Sequence, residues 1–443
     1  MKSVAIFSFG ILVLVIGSCT SANNGEYKEK AKNPEFLHRS MKAITDRIVH
    51  DIFSPPVASR IYTYVSVAAY EAAIQQDSSY KSLAGQLNGL EALPKPDRAL
   101  EYSFDLAATQ AILKVGRTLI FSEADLDVFI EQVMKEYKAT GIPADVFERS
   151  IAYGDQVAAH ILNWSSKDNY KQSRSFPKYS IENNPATWKP TPPAYMDAVE
   201  PHWNKIRTFV IDSAAQFKPV PPTPFSIEKT SQFYKEAYEV FEVVKNITEE
   251  QQAIASFWDC NPFAMNVRGH VMFATKKISP GGHWINITRT VCAQTKASLV
   301  QSAEAYTRVS LSLVDGFISC WDEKYRSRLI RPETYINQYI NEDWVPILQT
   351  PPFPEYTSGH SVISSSASVA LTKLFGDNYA FTDSTEVEFG MGARKFTSFY
   401  QAAEEAGISR MYGGIHYRPA FEVGGKQGRA VGELIAQRVV TRK

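Results

Sequence analysis

The sequence predicts an all-α protein, two helical bundles packed together with proline-rich loops carrying the site. Three observations predict it. Apolar residues recur at three- and four-residue steps along nearly every long segment, the period of one helix face. Ten of the 24 prolines fall between Pro177 and Pro224, where a residue without a backbone donor breaks any helix. No strand-length alternation repeats often enough to build a sheet. With 443 residues, 44% hydrophobic and 12% aromatic, the chain can bury a sizeable core and cannot be a disordered tail. Lys and Arg number 47 against 47 Asp and Glu, and no basic run compensates locally. That balance argues against a nucleic-acid partner.

The first 19 residues read as targeting. Lys2 precedes an apolar run from Val4 to Ile16, too short to cross a bilayer core of ~30 Å, and Gly17 and Ser18 lead directly into Cys19. Ile16-Gly17-Ser18-Cys19 resembles a bacterial lipobox, which implies an exported chain lipidated at Cys19: a periplasmic, outer-membrane or cell-surface lipoprotein, or a secreted protein. Residues 20–33, polar and rich in Asn, Ser, Gly and Lys, read as a tether.

An N-terminal bundle follows over 34–176. Val57, Ile61, Tyr64, Val65, Ala68, Ala69 and Ala72 mark a helix within 55–76, and similar patterns cover about 97–120, 122–139 and 144–165. Ser122 with Asp125 reads as a capping box, as does Thr248 with Gln251. Residues 177–224 form the irregular connector. The C-terminal bundle, 225–443, carries expected helices at about 226–245, 249–258, 284–297, 299–325, 358–376, 398–412 and 422–440. Cys260, Cys292 and Cys320 are odd in number and widely spaced, so they make neither a disulfide framework nor a spaced zinc motif and read as buried thiols. HExxH, Walker A, GxGxxG and GxSxG signatures are absent, which removes several common enzyme classes.

Chemistry concentrates in the last third. Trp321-Asp322-Glu323-Lys324 is followed, after six intervening residues, by Arg331-Pro332. Phe353-Pro354-Glu355-Tyr356-Thr357-Ser358-Gly359-His360 precedes a helical pattern, which puts Ser358, Gly359 and His360 at a helix N-terminus whose free amides favour an anion. Ser409-Arg410 is followed, after five intervening residues, by His416. One lysine and two arginines facing a helix N-terminus make a cage for a tetrahedral dianion, and two histidines remain for ligation or proton transfer.

In that order and spacing, Lys-x6-Arg-Pro, Ser-Gly-His and Ser-Arg-x5-His resemble the signature shared by type 2 phosphatidic acid phosphatases, bacterial acid phosphatases and vanadium-dependent haloperoxidases. The match is local to about residues 317–425. The absence of later membrane spans, the long N-terminal half and the SRMYGGIHYRP segment are most similar to bacterial vanadium iodoperoxidases, which implies their two-bundle fold. The resemblance implies vanadate as cofactor, held by Lys324, Arg331, Ser358, the Gly359 amide and Arg410, with His416 as the metal ligand. It implies His360, Lys324 and His416 as catalytic groups, with His360 as acid/base and Lys324 polarising bound peroxide. Trp321 and Phe353 would form a dry halide pocket. The implied substrates are hydrogen peroxide and a halide, with iodide, the easiest to oxidise, favoured.

Two positions depart from the family pattern. Thr357 stands where the broad signature has proline. Ala420 stands where phosphatases carry the aspartate that orients the histidine, which weakens the phosphatase reading and leaves the partner of His416 unassigned. The alternative is a soluble acid phosphatase with His416 as nucleophile; a non-catalytic binding lipoprotein is the third reading. His283-Trp284 and Trp258-Asp259 are candidates for the site entrance, with core packing an equal reading.

Overall fold

The computed structural model describes residues 26–268 and 271–443; the leader, with Cys19, and the start of the tether lie outside the described residues. The N-terminal half contains α1 (Glu26–Ala31), α2 (Glu35–His50), α3 (Pro55–Ala73), α4 (Phe104–Leu119), α5 (Glu123–Ala139), α6 (Ala144–Ser165) and α7 (Tyr170–Ser173). The C-terminal half contains α8 (Gln232–Lys245), α9 (Glu249–Phe257), a hairpin of β1 (Met265–Arg268) and β2 (Val271–Ala274), and α10 (Pro280–Gln294). It continues through α11 (Leu299–Ser327), α12 (Pro332–Tyr339), α13 (Gly359–Phe375), a hairpin of β3 (Phe381–Asp383) and β4 (Arg394–Phe396), α14 (Phe399–Tyr412) and α15 (Arg418–Arg438). The fold is all-α, and the two hairpins are too small to form a layer.

Two buried helices organise the molecule. Every residue of α3 is buried. Its start is set by Pro55 and Pro56 in the first turn and by Ser54, whose Oγ accepts from the Val57 amide. It crosses the 29-residue α11 through small hydroxyl side chains. Thr63 Oγ1 donates to the Ser310 carbonyl at 3.0 Å, and Thr307 Oγ1 donates to the Ser66 carbonyl at 3.1 Å. These bonds satisfy buried hydroxyls where the helices approach closely. One apolar core runs from Leu37 in α2 to Val439 beyond α15, so both halves contribute to it.

The segment 177–224 holds no helix longer than the single turn Trp203–Lys205. Its backbone is satisfied by α11 and the loop that follows. Buried Asp315 accepts from the amides of Phe209, Val210 and Ile211 at 2.8, 2.7 and 3.0 Å, and Trp188 N donates to the Arg328 carbonyl at 2.7 Å. Such anchoring gives a strand-like segment its hydrogen bonds without a sheet.

Several boundaries differ from expectation. Helix α4 starts at Phe104, not near 97, because Ser103 Oγ caps the Leu106 amide. Ser231 caps α8 and delays its start to Gln232. Ser279 and Pro280 open α10 four residues before the expected start, and α10 ends at Gln294 rather than 297. Arg418 begins α15, also four residues early. Helix α2 adds to the expected set, burying Leu37, Met41, Ile44 and Ile48. Thr248 and Gln251 form the expected capping box, but Ser122 and Asp125 do not. Asp51 instead accepts from the Phe121 and Ser122 amides, and Asp125 pairs with Arg47. Cys260, Cys292 and Cys320 are buried free thiols. Among the described residues no helix is long and apolar enough to cross a membrane.

Candidate oxyanion site

Five helix ends converge on one narrow cavity. Lys324 lies in the last turn of α11, and Arg331 caps the start of α12, with Pro332 in its first turn. Ser358 caps α13, its Oγ accepting from the Ser361 amide at 3.4 Å, which leaves the hydroxyl proton free to donate. The Gly359 and His360 amides follow in the first helical turn, where no intrahelical acceptor exists. Arg410 ends α14. The chain then turns at Gly414 (φ +77°), where Pro346 and Val244 crowd any side chain, and His416 follows just before α15.

The position of α13 depends on how closely α15 approaches it. A Cβ on Gly428 would stand 2.0 Å from the Val362 carbonyl oxygen, and one on Gly432 would stand 2.8 Å from that of Ser366. Gly424, one turn before Gly428, faces the Ser358 backbone. Glycine at every fourth position therefore seats the Ser358 end of α13 directly on α15.

Each cation is held by backbone carbonyls. Lys324 Nζ donates to the Pro354 and Glu355 carbonyls, both at 3.0 Å. Arg331 donates through Nε to the Phe353 carbonyl at 2.9 Å and through Nη1 to the Ile415 carbonyl at 2.8 Å; Nη1 is also 3.1 Å from His416 Nε2. Arg410 donates to Ser409 Oγ at 3.0 Å and to the Ala255 carbonyl at 3.2 Å. All three are at most 1% exposed. His416 Nδ1 is 2.9 Å from Glu355 Oε1, which also accepts from the Tyr417 amide at 2.9 Å.

Burial dominates the electrostatics. It lowers Lys324 to about 7, with Arg331 adding to the effect, and lowers Arg331 to about 10. Burial followed by the surrounding cations holds His416 and His360 well below the usual imidazole range. Both histidines are therefore neutral at pH 7, and each keeps a nitrogen lone pair. Glu355, buried, is pushed up to about 7.

This donor set fits a tetrahedral oxyanion. Three buried cations face Glu355 and Asp259, and Asp259 is already paired with Lys277. Arg331 Nη2 and His360 Nε2 are buried without a partner. An unpaired cationic donor such as Arg331 Nη2 is costly in a dry site, and a dianion accepting from it removes that cost.

The cavity's other wall is apolar. Trp321 and Phe353 pack with centroids 4.9 Å apart, and Phe317 lies 5.3 Å from Trp321. Lys324 Nζ sits 5.1 Å from the Phe353 centroid. The Trp321 indole N–H is satisfied by the Val199 carbonyl, so the ring offers the cavity only carbon.

Gly359, His360, Arg410, His416, Trp321 and Phe353 line one cavity; Lys324, Arg331 and Ser358 adjoin that lining, Lys324 against the Phe353 ring, Arg331 against His416 and Ser358 as the cap directly before Gly359. Of the four entrance candidates, Asp259 lines it. Trp258 instead donates to Glu405, His283 is fully buried against Asp383, and Trp284 donates to Ser364. Glu355 is the residue that the motif reading passed over. Its signal was a lone acid in the otherwise uncharged segment Pro351 to Gly359.

The family model described as the VCPO second helical-bundle domain matches residues 339–442. A crystal structure described as that of the first bacterial vanadium-dependent iodoperoxidase is 51% identical, covers 93% of this chain and 98% of its own, and superposes with a TM-score of 0.88. Holo and apo structures of a bacterial vanadium-dependent chloroperoxidase are each 16% identical, with TM-scores of 0.68 and 0.65. They cover 88% and 87% of this chain and 93% and 94% of theirs, and at that identity show the fold alone. No curated protein sequence matches the chain.

Proposed function

The chain belongs to the vanadium-dependent haloperoxidase family, and from that premise we propose that it oxidises iodide with hydrogen peroxide to hypoiodous acid at a vanadate held by Lys324, Arg331, Ser358, Gly359, Arg410 and His416. The overall reaction consumes iodide, peroxide and one proton and yields hypoiodous acid and water. When bound, vanadate supplies a Lewis acid that activates peroxide toward the halide without changing oxidation state.

The protein's own groups bind, orient and move protons. Glu355 takes the His416 Nδ1 proton in a hydrogen bond, which leaves the Nε2 lone pair as the ligating atom beside Arg331. Arg331, Arg410, Lys324 and the Ser358 hydroxyl neutralise the oxyanion by charge-assisted donation. His360 is neutral, lines the cavity and has an unpartnered Nε2, so it can take a proton from incoming peroxide and return it to the departing oxygen. Trp321 and Phe353 exclude water and suit a large, weakly hydrated halide. Iodide is favoured because it is the easiest halide to oxidise and because the 51%-identical relative is described as an iodoperoxidase.

The observation that carries this reading is the set of three buried cations, with Arg331 Nη2 unpartnered, around a neutral, oriented histidine. The test is iodide oxidation by purified protein with hydrogen peroxide, with and without vanadate and with excess phosphate, beside a chromogenic phosphatase assay. Vanadate-dependent triiodide formation that phosphate suppresses is the expected result. The Glu355–His416 pair would also orient a nucleophile, so the missing acid at Ala420 carries no weight against phosphatase chemistry. Ester hydrolysis without peroxidase activity would establish that alternative.

The leader supports export, with lipid attached at Cys19. Membrane-fraction recovery of the wild type, lost in Cys19→Ser, is the corresponding check.

A further inference from the structure

A second chemical cluster lies behind the cavity wall, assembled from segments distant in sequence. Cys260 follows α9, His283 sits in the first turns of α10, and Glu386 lies in the helical turn Thr385–Phe389 after β3. All three are buried. Cys260 Sγ is 3.4 Å from His283 Nδ1, Nδ1 is 3.0 Å from Glu386 Oε1, and Sγ is 3.8 Å from that oxygen. On the far side of the ring, His283 Nε2 is 2.6 Å from Asp383 Oδ2, and the Asp383 Oδ1 atom accepts from the Thr385 amide at 2.9 Å. The Trp258 indole stacks on the imidazole with centroids 4.6 Å apart.

We propose that Cys260, His283 and Glu386 bind a divalent cation of the zinc class, at a site separate from the oxyanion cage. A tetrahedral zinc with bonds of about 2.3 Å to sulfur and about 2.0–2.2 Å to nitrogen and oxygen requires ligand separations of about 3.3–3.6 Å. The three observed separations bracket that range, and all three donor atoms already face one another. The same three atoms are within hydrogen-bond reach of one another, so a proton network among them is the alternative that zinc and cobalt binding would exclude.

The surroundings agree. Asp383 against Nε2 completes a carboxylate–histidine–metal relay, which fixes the ring and leaves Nδ1 as the ligating nitrogen. A thiolate, an imidazole and a carboxylate form a mixed sulfur, nitrogen and oxygen set that suits zinc rather than calcium or magnesium. Thiolate and carboxylate charges together neutralise a divalent ion. Cys260 also lines the oxyanion cavity, so the fourth coordination position is within reach of solvent from that side. The metal would tie the 258–260 segment, which carries Asp259, to α10 and to the Thr385–Phe389 turn. Cysteine spacing gave no sign of this site, because only one of its ligands is a cysteine.

The test uses full-length protein purified without a histidine tag and without added vanadate. Elemental analysis should find about one zinc per chain. Chelated protein refilled with cobalt(II) should show a thiolate-to-cobalt charge-transfer band, and zinc should raise its melting temperature. Cys260→Ser should lose the band, whereas His416→Ala, altered at the other site, should keep it. Absence of retained metal together with no cobalt band in the wild type would overturn the proposal, as would a band that persists in Cys260→Ser. The wild-type arms decide the matter even where a variant fails to fold. Halide oxidation plays no part in the readout, so this proposal and the peroxidase reading stand or fall separately.

Discussion

Glu355 Oε1 binds both sides of the His416 peptide neighbourhood at once: the His416 Nδ1 atom and the Tyr417 amide each lie 2.9 Å from it. One carboxylate oxygen thereby sets the ring's tautomer and fixes the backbone that carries the ring. Replacing Glu355 with Ala removes both hydrogen bonds. Vanadate affinity should fall about 10–100-fold in Glu355→Ala, the usual cost of losing such an outer partner, and less in Glu355→Gln, which retains an acceptor oxygen. Equilibrium dialysis against vanadate measures it, and unchanged affinity in the alanine variant would remove Glu355 from the site.

His416→Ala should abolish tight vanadate binding, because it removes the Nε2 lone pair that Glu355 orients through Nδ1. Arg331→Ala and Arg410→Ala should each weaken vanadate and phosphate alike by about 10–100-fold. Each loses charge-assisted hydrogen bonds of about 1.5–3 kcal/mol. Isothermal titration with both anions checks this, and a loss confined to vanadate would contradict a purely electrostatic role.

Anion affinity of the protein should fall as pH rises through about 7. Burial has lowered Lys324 to about 7, so below that pH it is charged and above it neutral. The groups that set this value are Arg331, Cys320 and Glu355. Glu355, pushed up to about 7, gains negative charge over the same interval, and both changes make the cage less positive. The slope from Lys324 alone approaches about tenfold per pH unit above 7. Binding of sulfate, a tetrahedral dianion at every pH from 6 to 9, measured over that interval in the wild type and in Lys324→Arg, whose charge does not titrate there, tests it; a flat wild-type profile would refute it.

Phe353→Ala should raise the KM for iodide roughly tenfold, about 1.4 kcal/mol, with little change in vanadate affinity. The ring forms the apolar wall, but Arg331 is held by the Phe353 backbone carbonyl, which the substitution leaves in place. Steady-state triiodide kinetics beside vanadate dialysis separates the two effects.

Gly428→Ala should lower the melting temperature and weaken vanadate binding together. The added carbon would stand 2.0 Å from the Val362 carbonyl oxygen, a backbone atom that cannot rotate aside. Relief requires α15 to move off α13, costing about 1–3 kcal/mol and shifting Ser358 with it. Differential scanning fluorimetry with a vanadate titration provides the check.

By itself the sequence determined the helical class, the helix N-terminus at Ser358 and the set of charged residues around the cavity. Those features are local: apolar periodicity, caps and short spacings are settled within a few turns of chain. Tertiary structure alone decided that Glu355 meets His416, 61 residues away, and that Cys260, His283 and Glu386 share a point. It also decided that Asp259 faces the cavity while Trp258, His283 and Trp284 pack elsewhere. Most of these residues lie on loops and turns without periodicity, and His283 and Trp284 lie in the first turns of α10. Their meeting is set by how closely α3, α11, α13 and α15 pack, and that distance depends on the glycines and hydroxyls at the crossings rather than on any local pattern.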